Sequence, residues 1–191
     1  MRFVRNRSWL WVGLGAAGWL VLSGCASVID EEAQRQFKAD LGDTTITVFP
    51  AFIRDGESGS YNGDAAQAIA DFLADADLAE VTVSDAEVPI TGAWGMDQSA
   101  MYRESVASLV SWVEQHPLET EYAMLPEYLI GGRGTVVGVH LYAINVEGAV
   151  VYGMGKNSHH DAFNEVDPQD ADDCTTIVIN VMRDELVEDG G

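Results

Sequence analysis

Lysine is almost missing from this chain. Only Lys38 and Lys156 occur among 191 residues, and the ten basic residues in all face 31 acidic ones, for a formal net charge of −21 at pH 7. Such a surface repels phosphate backbones, and no basic cluster follows Arg7, so nucleic acid is not an expected partner. Abundant Asp and Glu with scarce Lys fit a solubilising surface suited to high salt, the functional alternative being attraction of cations or of a basic partner. Cysteine is as scarce. Cys25 and Cys174 are the only two, which excludes a disulfide framework. A spanning helix is missing too: the longest apolar run, Trp9 to Leu22, falls short of the ~20 residues needed to cross a bilayer.

What is present begins at the amino terminus. Arg2, Arg5 and Arg7 precede that run, and Ser23 and Gly24 lead into Cys25. A positive stretch, a short apolar stretch and small residues before a cut predict a secretory signal peptide over residues 1–24. The ending Leu22-Ser23-Gly24-Cys25 resembles the lipobox of bacterial lipoproteins. That resemblance implies cleavage before Cys25, diacylglycerol in thioether linkage on its sulfur, and an acyl chain such as palmitate on the new amino terminus. Ala26, where an Asp would retain such proteins, implies transfer to the outer membrane, facing the periplasm. Several chains are required, because one acyl chain binds a bilayer only marginally. Residues 25–43 are expected to be the lipidated tether, with Ile29, Ala33, Phe37 and Leu41 spaced for a short helix. Residues 44–191 suit one domain.

Within that domain, Thr44–Ile53 is rich in β-branched and aromatic residues and predicts a strand. The stretch 54–63 reads as a glycine-rich loop, after which Asp64 is the expected cap of a helix over 65–76. A short strand over 79–83 and an irregular loop over 84–97 follow. Residues 98–115 give the clearest helix, stopped by Pro117. Glu121–Ile130 reads as a strand whose Pro126 signals an edge or a bulge. Thr135–Val146 is apolar on both faces and predicts a strand covered on both sides. Glu147-Gly148 turns into a strand over 149–155, and a closing helix spans 174–187. The order β-α-β-α-β-β-β-α predicts a single α/β domain with a mixed, mainly parallel five-stranded sheet, ending in a β-hairpin and a helix.

Ile46-Thr47-Val48-Phe49-Pro50-Ala51-Phe52 resembles the "V-x-P-F" opening of a group of bacterial envelope domains, among them the amino-terminal domain of TolB and the CsgG-like lipoproteins. Glu121-Tyr122-Ala123-Met124-Leu125 stands where that group has "A-D-Y-V-x-x-G". The stretch from Leu141 to Tyr152 resembles its "L-x-D-x-x-T-G-x-V-V-W" hairpin. The resemblance covers residues 44–187 and implies a fold and an envelope location. The chain has neither a propeller nor enough length for membrane hairpins, so the resemblance leaves activity open.

Candidate chemistry is sparse. Asp55, Glu57 and Asp64, in a loop with Ser58 and Asn62, offer oxygens of the kind Ca²⁺ takes. His159, His160 and Asp161 offer zinc-type ligands, although adjacent histidines in an extended segment point apart. Ser158 lies beside them, without a G-x-S-x-G elbow. His140 reads as a satisfied core histidine, Cys174 as a small buried hydrophobe, and His116 as a partner of last-turn carbonyls. Trp94, on the loop 92–96, is the candidate anchor for a protein partner. No cofactor is called for. Leader and resemblance together imply a lipid-anchored envelope protein that binds partners or aids assembly. The alternatives are a metal-assisted hydrolase, or an envelope domain that binds a cation or small ligand.

Overall fold

The computed structural model describes residues 29–56, 58–91 and 98–188. One mixed sheet of seven strands has helices on both faces. In chain order the elements are α1 (Glu31–Asp40), β1 (Thr45–Val48), β2 (Ala51–Asp55), β3 (Ser58–Asn62), α2 (Gly63–Asp75), β4 (Glu80–Val83), α3 (Gln98–Gln115), β5 (Tyr122–Ile130), β6 (Val136–Asn145), β7 (Val150–Asn157), α4 (Asp161–Val166) and α5 (Ala171–Arg183), closed by a π-turn over Asp184–Glu188.

Strand β5 is the axis. On one side it carries the antiparallel meander to β6 and β7, and on the other it runs parallel to β1 and β2. β1 and β2 are successive halves of one bent strand. Val48 pairs with Met124 but Phe52 with Glu127, so one extra residue is inserted around Phe49-Pro50. Phe49 N–H still donates to Met124 O at 2.9 Å. Peptides alternate sides along a strand, so Pro126, two residues on, turns its missing N–H to this same irregular stretch. A proline thereby sits inside the central strand without losing a ladder bond. β4 pairs parallel with β1, and β3 folds back antiparallel on β2.

The mixed α/β class and single domain stand as expected. The mainly parallel five-stranded sheet does not: the sheet has seven strands and is mostly antiparallel. Two causes account for this. The 54–63 stretch is half of a hairpin rather than a loop, since Ser58–Asn62 pairs with Ala51–Asp55 and turns at Gly56 with φ +60°. The first expected strand is also two strands, broken at the bulge. Asn62 rather than Asp64 caps α2, accepting from Ala65 N–H at 3.1 Å.

The helices divide by face. From β1 the chain crosses to β4 through α2, then returns past β1 to β5 through α3. Two right-handed crossovers in opposite directions place their helices on opposite faces. Ile69 and Leu73 of α2, with Cys174, Ile177, Val178 and Met182 of α5, cover Met124, Tyr128, Leu141 and Ala143. On the other face Val106, Leu109 and Val113 of α3 cover Phe49, Leu125, Tyr142 and Ile144. Both faces of β6 are buried, as its sequence predicts. The stretch expected as a tether does not hang free from Ile29 onwards: Phe37 of α1 is fully buried, edge-on to Tyr122 at 4.9 Å.

Candidate functional site

Chemistry concentrates beneath α3, in residues that the strand pattern alone treats as core. Glu127 is the one charged residue of β5 and is fully buried. Its register partner on β6 is His140, and Phe52, beside Arg54, is its partner on β2. Arg54 Nε donates to Glu127 Oε1 at 2.9 Å, with a second guanidinium nitrogen at 2.8 Å from the same oxygen. His140 Nδ1 lies 3.1 Å from Oε2, and the Tyr142 hydroxyl donates to that oxygen. Ser105, the α3 residue facing the carboxylate, completes the group at 3.1 and 3.2 Å from its two oxygens. Three strands and a helix therefore meet on one side chain.

Tyr102 closes the cluster, its ring edge-on to Tyr142 at 4.7 Å and to His140 at 5.7 Å. It fits because β7 carries Gly153 there: a Cβ would stand 1.9 Å from the Tyr102 hydroxyl. Burial alone would push the Glu127 carboxyl up. The hydrogen bond and charge of His140, the Tyr142 hydroxyl and Arg54 outweigh it and hold the group below the usual carboxylate range. Burial, then the Glu127 charge, pushes Tyr142 well above the usual phenol value. Burial pushes Tyr102 up to about 12.

A carboxylate orienting an imidazole is a general-base arrangement. Here the histidine is 4 % exposed and the carboxylate 0 %, so the group is enclosed and ties β2, β5, β6 and α3 together. Two of the grooves that lie elsewhere bear on the residues read from sequence. One, of about 520 Å³, is lined by Thr135, Ser158, Phe163, Asp167 and Gln169. The other, of about 540 Å³, lies between Glu87, Pro89 and Thr91 on one side and, on the other, Ser108 and Trp112 of α3 with His116 just past its end. In it Trp112 stacks on His116 at 4.3 Å and meets Phe49 edge-on at 5.0 Å.

The residues singled out from sequence are not gathered into one site. Asp55 lies at the tip of the β2–β3 hairpin, whereas Asp64 follows its base, a strand's length of ~13 Å away. Both are exposed. His159, His160 and Asp161 are exposed at the start of α4, where the His160 ring nitrogen caps the helix by accepting from Ala162 N–H at 3.3 Å. Among the described residues no three His, Cys, Asp or Glu side chains are placed to hold one metal ion. Of the two candidate sets, Asp55 and Asp64 of the first stand apart and His159, His160 and Asp161 of the second form no such group among the described residues. The reason is that strand pairing spreads the first group and helix capping uses His160. Glu57, Trp94 and Cys25 lie outside the described residues. Cys174 is core, its thiol pushed up to about 12 by burial and then by Asp170 and Asp173. His116 Nδ1 sits 2.9 Å from Trp112 O, as its helix-end position predicts.

No family model matches the chain, and no curated protein matches it. Solved structures do. The chain is similar to the LpoB C-terminal domain from Salmonella enterica, with 12 % identity and a TM-score of 0.39, over 65 % of this chain and 90 % of that one. It is similar to a PelC dodecamer from Paraburkholderia phytofirmans, with 15 % identity and a TM-score of 0.39, over 74 % and 87 %. A third similarity is to E. coli LpoB, with 10 % identity and a TM-score of 0.34, over 80 % and 82 %. At such scores the likeness says nothing of chemistry or partners.

Proposed function

We propose that this is a lipid-anchored cell-envelope protein that works by binding a protein partner. The observation that carries the reading is the arginine-led apolar leader ending in Leu22-Ser23-Gly24-Cys25. In this reading residues 1–24 are removed, Cys25 carries diacylglycerol and an amino-terminal acyl chain, and the body stands at the outer membrane in the periplasm. A binding role is favoured over a hydrolytic one because the densest titratable cluster among the described residues is sealed in the core, while His159, His160 and Asp161 stand in the solvent. The surface left for a partner includes the groove beside Trp112 and His116.

Mass spectrometry of the membrane fraction tests the anchor. The expected mature chain starts at lipid-modified Cys25, and Cys25→Ser abolishes lipid attachment because serine offers no sulfur for the thioether. An unmodified Cys25 on a retained leader would refute the anchor. Crosslinking in intact cells tests the role: an envelope protein should be captured, and captured less by Cys25→Ser. A turnover lost in His159→Ala or His160→Ala would instead make it an enzyme.

A further inference from the structure

The place where the chain enters its fold fixes more than an anchor. Ile29 forms a parallel bridge with Val150, the first residue of β7, and Asp30 N–H donates to Val150 O at 3.0 Å. Because the bridge is parallel, Ile29 and Asp30 run in the same direction as β7 beside its first residue. Asp30 then caps α1 by accepting from Glu32 and Ala33 N–H groups, both at 3.0 Å. The helix runs across this end of the sheet from β7 towards β5. Phe37 lies against Tyr122 and Tyr152, and the Tyr122 hydroxyl donates to Asp40 at 2.7 Å. The starts of β1, β5 and β7 and the finish of β6 all lie at this end.

Only residues 26–28 separate Cys25 from Ile29. Four Cα–Cα steps span at most ~14 Å even when fully extended. We infer that the body is held with this end of its sheet against the bilayer, the face bearing the α1 amino terminus and the β6–β7 turn resting on phospholipid headgroups. The inference rests on Cys25 being lipidated. A second observation marks the same end. Val146, in the β6–β7 turn, is the most exposed large hydrophobic among the described residues at 59 %. Glu147 follows it in the chain, and Asp30, Glu31, Glu32 and Arg35 line a groove with Gly148, Ala149 and Val150 at the same end, so this mainly acidic face is not attracted by the headgroups themselves, and the covalent lipid holds it there. The ten residues of β6 put its far end ~30 Å away. The β2–β3 hairpin tip and the Ser158–Asp161 segment therefore face away from the membrane, towards a partner.

The test uses the full-length lipidated protein in vesicles of phosphatidylethanolamine and phosphatidylglycerol containing a nitroxide-headgroup lipid. A fluorophore is attached at Val146→Cys or, separately, at Ser158→Cys, Cys174 being buried. Quenching at position 146 should be several-fold greater than at 158. A 20-residue Gly/Ser segment inserted between Ala26 and Ser27, with a mean reach of ~25 Å, should remove most of the difference. Equal quenching in the unmodified tether, with lipid on Cys25 verified by mass, overturns the orientation and leaves the anchor standing. Absence of lipid from Cys25 overturns the anchor and the orientation together.

Discussion

Replacing Glu127 with leucine is the most informative single perturbation of this fold. The carboxylate accepts from Arg54, Ser105 and Tyr142 and lies against His140 Nδ1, and Arg54 is itself only 3 % exposed. Removing one member of a buried ion pair leaves the other charge without its counterion, at a cost of about 3–5 kcal/mol. For a chain of this size that lowers Tm by roughly 6–20 °C. Removing both charges is a different matter. Arg54→Met with Glu127→Leu leaves no buried charge from the pair, and the Tyr142 hydroxyl still has His140 Nδ1 at 3.3 Å. The double variant should therefore melt above the Glu127→Leu single variant, because an apolar replacement of a buried pair is often neutral. Calorimetry at pH 7 on the wild type, both single variants and the double closes the cycle. A pH series adds a second arm. The folded Glu127 value is depressed, so its stabilisation is complete above the unfolded carboxylate value of ~4.3 and drains as pH falls through the folded value. That part of the wild-type acid loss should vanish in the leucine variant. A Glu127→Leu protein melting within about 2 °C of wild type would refute the argument, since that corresponds to no more than ~1 kcal/mol.

Two further outcomes follow from burial. Leu141→Asp puts a carboxylate at a position with no exposure, register-paired to Pro126 and Met154, and should unfold the domain, as followed by circular dichroism. In the Cys25→Ser chain Cys174 is the sole thiol, and with its pKa pushed up to about 12 it should resist a maleimide at pH 8 until denaturant exposes it. Labelling at the rate of a free thiol would show that α5 opens readily.

The long helices were legible because apolar periodicity and breaker residues are local signals. Residues 98–115 form α3 as expected, stopped before Pro117, and the two-faced pattern of β6 correctly predicts cover on both sides. What pattern reading misses is long-range. Ser58–Asn62 carries two small serines and a glycine in five residues, a composition of turns, and becomes a strand only because β2 lies beside it. The break at Phe49-Pro50 is equally invisible, since the apolar run continues through it while the pairing on β5 slips by one residue. Both misses moved the expected sheet towards parallel pairing. The helix α4 was missed for its length, six residues held by the His160 cap and one buried phenylalanine, Phe163.

The buried cluster was written in the sequence in another form. Glu127 is the one charged residue in a nine-residue apolar strand, and His140 interrupts an apolar face of the next. A charge where a strand should be apolar needs a partner of opposite sign at a register position. The β5–β6 hairpin supplies His140 directly across from it. Arg54 is harder to foresee, because reading 54–63 as a loop puts that arginine in solvent. Once β2 is seen to continue to Asp55, Arg54 turns to the α3 face with Phe52 beside it, and the pair with Glu127 becomes a consequence of register. The exposed acids and histidines that drew attention first are therefore surface and capping groups. The charges that matter to the fold are those the alternation of the strands sends inward.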